Sequence, residues 1–245
     1  MIKTCEGIVI RQTKIVGGRR MVLVFTREEG KLSAGTHISE KSKGDSALAI
    51  RPFTYGRYTV NEKSAGTRSI SSAETLDAHF GLGEDIDRFT EASFVLEFTD
   101  KVLPEGAAAP RVFDLLKGYL AMLAGRKVDF RLLTISYIVK VMQEFGVFPD
   151  TASLAEGLNS PGGGPAVTGG GPAPSEGELL LSGLNGDILN TIVFIAEQPL
   201  ERMDALRLEG EKEGAVFGVI KAFAHEYLEL GTIKSERLLS RDSAK

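Results

Sequence analysis

The sequence has no tryptophan, a single cysteine and three histidines among 245 residues. One thiol, Cys5, cannot close an internal disulfide, so no disulfide framework holds this chain together. It reads most simply as a small strand residue. His37, His79 and His225 lie far apart and show no paired metal-ligand spacing. There is no run of 18 apolar residues, so no membrane span is expected. Residues 1–11 contain neither a long apolar stretch nor a small-residue cleavage site, so no signal peptide is expected and a cytoplasmic protein is the plain reading. No phosphate loop, nucleophile elbow, zinc-protease motif or dinucleotide fingerprint occurs. The carboxylates Glu84, Asp85 and Asp87 read as the acidic first turn of a helix rather than as paired catalytic acids. Glu28 and Glu29 read as a solvated hairpin turn before Gly30. The expectation is a protein without catalysis and without a cofactor.

What is present is ordinary in amount and uneven in placement. Apolar residues make 42% and charged residues 25%, as in a globular protein of one or two domains. The net charge of −4 divides into +5 over residues 1–78 and −9 over the remainder. A basic module joined to an acidic one points to a polyanion site confined to the first.

Residues 1–75 carry strand signals. They are the β-branched run 8–10, the run 21–25, the loosely alternating 31–38, the run 53–60 and a weaker stretch, 67–73. Glycines 17, 18, 30 and 66 punctuate the gaps. Five short strands fit a small OB-like barrel better than an immunoglobulin-like sandwich, which needs about seven. From about residue 84 the period becomes helical. Ile86, Phe89, Leu96 and Leu103 share one helical face, with Val95 and Phe98 beside it, and Pro104 stops the helix. Val112, Leu115, Leu116, Tyr119, Leu120 and Leu123 mark a second helix, closed by Gly125. Leu132, Leu133, Ile135, Ile138, Val141, Met142 and Phe145 mark a third, apolar over more than half its surface and so expected at the centre of a bundle. Two further helices are expected near 187–196 and 211–230, with a short one after Ser235. Between them, residues 157–177 hold eight glycines and four prolines. That composition has almost nothing apolar to bury and reads as a flexible loop. The fold class is therefore α+β: an N-terminal five-stranded barrel over 1–78, followed by an α-helical domain over 79–245 that the loop interrupts.

The basic residues of the first module supply a candidate nucleic-acid surface. Arg11, Lys14, Arg19 and Arg20 flank the first hairpin, Arg27 and Lys31 the second. Lys41, Lys43 and Arg51 lie between the third and fourth strands. Each alone reads as solvated surface, and the cluster carries the weight. Single strands bind such barrels through a cationic groove along the phosphates and aromatics that stack on bases. Phe25, inside an apolar run, reads as core, leaving Tyr55 and Tyr58 as the stacking candidates. An RNA-binding barrel of translation or ribosome assembly and a non-catalytic interaction scaffold share these features. An enzyme without recognisable motifs stands behind both.

Several stretches carry a family resemblance. Phe25-Thr-Arg-Glu-Glu-Gly-Lys-Leu-Ser-Ala34 resembles the hairpin signature of the RecO family of recombinational DNA-repair mediators. Around it lie the similar start 7–11, the basic connection 41–51 and Arg51-Pro-Phe-Thr54. Residues 94–104 and Pro110-Arg-Val-Phe-Asp-Leu-Leu116 resemble its helices, and 225–235 with Arg237 its closing motif. Many members carry a four-cysteine zinc ribbon after the third bundle helix. This chain has the Gly/Pro-rich stretch there, without cysteine or histidine, so that ribbon cannot form. The resemblance implies binding of single- and double-stranded DNA by the barrel and annealing of complementary strands. It also implies loading of RecA with the partner RecR, and often RecF. A further implied partner is the acidic C-terminal tail of single-strand binding protein, received by the helical domain. Arg111, Lys117, Arg126, Lys127, Arg131 and Lys140 are the basic residues available there. The implied location is the bacterial cytoplasm, with the nucleoid.

Overall fold

The structure, a computed structural model, describes residues 1–15, 19–38, 44–63, 66–125, 127–151 and 184–239. The Gly/Pro-rich stretch 157–177 lies outside the described residues. Five strands form a closed barrel: β1 (Ile2–Lys14), β2 (Arg20–Thr26), β3 (Gly30–Thr36), β4 (Tyr55–Glu62) and β5 (Arg68–Asp77). Their order around the barrel is β1-β2-β3-β5-β4. All pairs are antiparallel except β3 with β5. The long β1 closes the cylinder, pairing with β4 through its first half and with β2 through its second. Its register shifts between Val9 and Arg11, a bulge that helps a strand bend around a barrel. A short helix, α1 (Asp45–Ala49), lies between β3 and β4. This is an OB-type barrel at the head of an α+β chain.

Period-two alternation fills the cylinder. Val22 and Val24 of β2, Leu32 and Ala34 of β3, and Tyr58 and Val60 of β4 share one buried cluster with Val9, Ile70 and Ala73, and Ala49 and Ile50 close it. The opposite face of β2 is buried too. Phe25 meets Phe113 edge-on at 5.5 Å between ring centres, so Phe25 is core, as its apolar run implies.

The chain forms two compact units, Met1–Gly125 with Ile233–Lys245, and Arg126–Thr232. The first unit holds the barrel together with α2 (Ile86–Val102), α3 (Pro110–Gly125) and the short terminal α7 (Glu236–Leu239). Asp85 caps α2 by accepting from the Asp87 and Arg88 amides. The packed face of α2 runs from Thr90 to Thr99, while Ile86 and Phe89 of its first turn stay exposed. The link between α2 and α3 crosses the β2–β3 hairpin at Gly30. That residue has φ +70°, and a Cβ there would fall 2.0 Å from the Ala107 carbonyl oxygen. The second unit is built on α4 (Phe130–Glu144), whose residues 132–139 are all buried, in keeping with an apolar surface over more than half of the helix. Asp129 caps it, accepting from the Leu132 amide at 2.9 Å. Around α4 stand α5 (Gly186–Glu197) and α6 (Gly210–Tyr227). No helix among the described residues is long and apolar enough to cross a membrane.

Candidate nucleic-acid interface

The cations expected to contact DNA fall into three groups by what already holds them. The first group is neutralised by the chain's own helices. Lys31 is only 7% exposed, and its ammonium donates to the Asp100 carboxylate at 2.7 Å and to the Asp100 carbonyl at 2.5 Å. Arg11 reaches the same carboxylate at 3.7 Å. Arg27 forms a two-pronged pair with Asp114 of α3, both bonds 3.0 Å long. That guanidinium holds the Asp114 carboxyl below its ordinary range. A cation that already faces a carboxylate has little net charge left with which to neutralise a phosphate and release the counterions condensed on a polynucleotide. Lys31 is therefore a structural tie between β3 and α2 rather than a phosphate contact, which corrects its sequence assignment.

The second group stands at one corner of the barrel. Lys14 and Arg20 are register partners where β1 turns into β2, and the Ile15 amide donates to the Arg19 carbonyl at 2.9 Å. Arg20 donates to the Gln12 side-chain oxygen at 2.8 Å, and the Gln12 amide nitrogen donates to the Ile50 carbonyl at 3.1 Å. This relay ties the hairpin to the segment that follows α1, where Arg51 begins the tight turn into β4. Lys14, Arg19 and Arg51 are exposed, and their side chains make no ion pair or hydrogen bond among the described residues. Three exposed cations, Lys14, Arg19 and Arg51, thus stand at or beside this hairpin without an ion pair among the described residues, while Arg20 is engaged with Gln12. Lys41 and Lys43 form the third group and lie outside the described residues.

The two tyrosines do not serve alike. Tyr58 is fully buried, and its hydroxyl donates to the Ala49 carbonyl at 2.7 Å. Burial pushes its phenol far above the ordinary range. No base can stack on it, which corrects the expectation for this residue. The physical reason is its place in the inward row Gly56, Tyr58, Val60. Tyr55 is half-buried on the other face. Its hydroxyl donates to Glu6, the Lys117 ammonium lies 4.0 Å from its ring centre, and Phe113 packs against its edge. Burial and then the bond to Glu6 raise the Tyr55 phenol, while Tyr55 and then Arg57 lower the Glu6 carboxyl. Arg57, passed over in the sequence, sits between Glu6 and Glu74 at 3.0 Å from each. Arg57, on the outer face shared by β1, β4 and β5, is therefore charge-compensated.

The cations of the helical part are divided between the two units. Arg111 and Lys117 belong to the first, and Lys117 is engaged over Tyr55. In the second, Lys127 is exposed, and Arg131 lies 4.4 Å from the centre of the Phe217 ring. Lys140 donates to the Ala196 carbonyl at 2.5 Å, at the last turn of α5, and burial lowers its ammonium. That places Lys140 as a helix tie. Arg126 lies outside the described residues. Among the described residues no cluster of His, Cys, Asp and Glu is arranged to hold a metal ion.

Comparison with known proteins accords with this architecture. The family described as "Recombination protein O N terminal" matches residues 1–79, and "Recombination protein O C terminal" matches residues 83–237. Proteins named DNA repair protein RecO are similar over most of the chain. The one from Alkaliphilus metalliredigens is 26% identical over 153 residues, 62% of this chain and 61% of its own length. One from Bacillus cereus is 30% identical over 156 residues, 63% of this chain and 62% of its own length. One from a Thermoanaerobacter species is 29% identical over 149 residues, 61% and 59%. The matched part thus spans about three fifths of these relatives. With both family halves found in order, one on the barrel and one on the helices, the chain belongs to the recombination protein O (RecO) family.

Proposed function

We propose that this chain acts in DNA repair and recombination as a non-catalytic mediator. It binds single- and double-stranded DNA at the hairpin corner of the barrel and anneals complementary strands. With RecR, and with RecF where present, it helps RecA replace single-strand binding protein on DNA. The observation that carries the reading is the corner itself: exposed Lys14, Arg19 and Arg51 stand there without an ion pair among the described residues, while Arg27, Lys31 and Arg57 face carboxylates. The names of the relatives support the DNA-repair role.

Annealing needs no covalent step. Two strands repel one another through their phosphates. A surface that releases condensed counterions from one strand lowers the barrier to approach of the second. Holding the single-strand binding protein tail in the helical domain raises the local concentration of coated strands. Lys127 and Arg131 are the exposed or ring-stacked cations of the second unit that fit the rim of such a groove, whereas Lys140 is committed to α5. Any location with the nucleoid follows from DNA binding.

The test is strand annealing of complementary oligonucleotides, bare and coated with single-strand binding protein, by the wild type and by a Lys14→Glu/Arg19→Glu/Arg51→Glu variant. The variant retains its circular dichroism and loses annealing at moderate salt. Annealing at the wild-type rate by the folded variant contradicts the proposed site. An RNA oligomer that competes better than DNA favours instead a role in translation or ribosome assembly.

A further inference from the structure

Large apolar side chains are unevenly exposed in the first unit. Phe80 is 71% exposed, Ile86 74%, Phe89 43% and Leu76 37%, all within fourteen residues between the end of β5 and the first turn of α2. Scattered exposed apolar residues are ordinary, but several on one short stretch whose 80–83 turn packs against α2 point to an interaction surface.

The backbone holds this group outward rather than leaving it loose. On one side of Phe80, His79 is buried in the left-handed region at φ 48°, and its Nδ1 lies 2.8 Å from the Phe53 carbonyl oxygen. On the other side, Gly81 sits so close to α3 that a Cβ would fall 2.0 Å from the Ala124 carbonyl oxygen. Phe80 is thus displayed from a turn, Phe80–Gly83, pinned at both ends. Phe89 is held in turn by Phe53, ring edge to ring face at 5.5 Å. Phe53 is itself left-handed at φ 72°. Two non-glycine residues in this conformation, joined by one hydrogen bond, are a strained support that the surrounding packing maintains. Preorganised aromatic anchors of this kind suit a binding hot spot.

The charge around the group selects the occupant. Glu84, Asp85, Asp87 and Asp77 fall within the same stretch; Glu84 is exposed, Asp85 accepts from the α2 amides and Asp77 from the His79 amide. The Arg88 guanidinium is turned away to the Ala124 carbonyl, at 3.0 Å. A polynucleotide or an anionic lipid surface is repelled by such a rim, while a peptide with lysine or arginine is attracted. We propose that Phe80, Ile86 and Phe89 form a docking site for a partner-protein segment with large apolar anchors flanked by basic residues. This site differs in sign from the DNA corner and stands without it.

The test is selection of a random-peptide phage library on the full chain, with counter-selection on a Phe80→Ala/Ile86→Ala variant. Both substituted residues are exposed, so the variant keeps its fold. The expected peptides are basic and carry leucine or aromatic anchors. Fluorescein-labelled synthetic copies lose at least about tenfold in affinity on the variant and on Glu84→Lys, and they shift the backbone amide signals of residues 80–89. The proposal is overturned if no peptide distinguishes the variant, if the selected peptides are acidic, or if a single-stranded oligonucleotide shifts the same amides. It is also overturned if sedimentation shows a wild-type dimer that the variant loses, which assigns the surface to a second copy.

Discussion

Replacing Lys31 by methionine separates a structural cation from a DNA-binding one. The ammonium of Lys31 joins β3 to the Asp100 carboxylate and carbonyl of α2 with 7% of the side chain exposed. Removing one partner of a buried pair costs about 3–5 kcal/mol, because the remaining charge stays desolvated. Asp100 keeps 20% exposure and has Arg11 at 3.7 Å, which puts the ion-pair loss below that range. Losing the bond to the Asp100 carbonyl adds about 1 kcal/mol. The expected cost is about 3 kcal/mol. With urea slopes of about 1–3 kcal/mol/M, the midpoint of the first unit's unfolding falls by about 1 M or more, read by far-ultraviolet circular dichroism. A Lys31→Met/Asp100→Leu double variant removes both charges and recovers most of the loss. Single-strand affinity, measured where every variant is folded, stays within about twofold of wild type. Unchanged stability in Lys31→Met refutes the structural role. So does a fall in DNA affinity that the double variant fails to restore.

Two further predictions concern the first unit. Glu97 is pushed up by burial, but the Ser235 hydroxyl and the Lys234 and Ser235 amides outweigh this and hold its carboxyl below the ordinary range. A depressed carboxyl stabilises the fold above its unfolded pKa and loses that contribution as pH falls through the folded value. Amide protection over 233–239 therefore fades on acidification below about pH 4, and Glu97→Gln removes protection at neutral pH. Hydrogen exchange of those amides checks both. Gly81→Ala forces the 80–83 turn off α3, since both the new Cβ and the Ala124 carbonyl it meets belong to backbone. A loss of about 1–3 kcal/mol in thermal or urea unfolding is expected.

The sequence made the barrel legible because its strands alternate and glycines bound them. β1 and β2 contain the expected runs 8–10 and 21–25, β3, β4 and β5 overlap the runs 31–38, 53–60 and 67–73, and α2, α4 and α5 follow the capping residues Asp85, Asp129 and Asn185. The same alternation, followed one step further through Gly56, Tyr58 and Val60, places Tyr58 inside. The state of each cation was not legible. Lys31 finds Asp100 across 69 residues and Arg27 finds Asp114 across 87, so only the fold tells paired charges from free ones. Composition likewise gives no sign that Ile86 and Phe89, on the apolar face of α2, stay exposed, since burial there depends on what packs against that turn.

The most direct measurement is the salt dependence of single-strand binding, by fluorescence anisotropy across a range of ionic strength. Each cation that displaces a counterion contributes about −0.7 to the slope of log affinity against log salt. Replacing Lys14, Arg19 and Arg51 together by alanine makes the slope shallower by about 2, while Arg27→Ala, already paired with Asp114, leaves it within error. Equal losses from both variants, or a triple variant with the wild-type slope, contradict the assignment of the DNA contact to the hairpin corner.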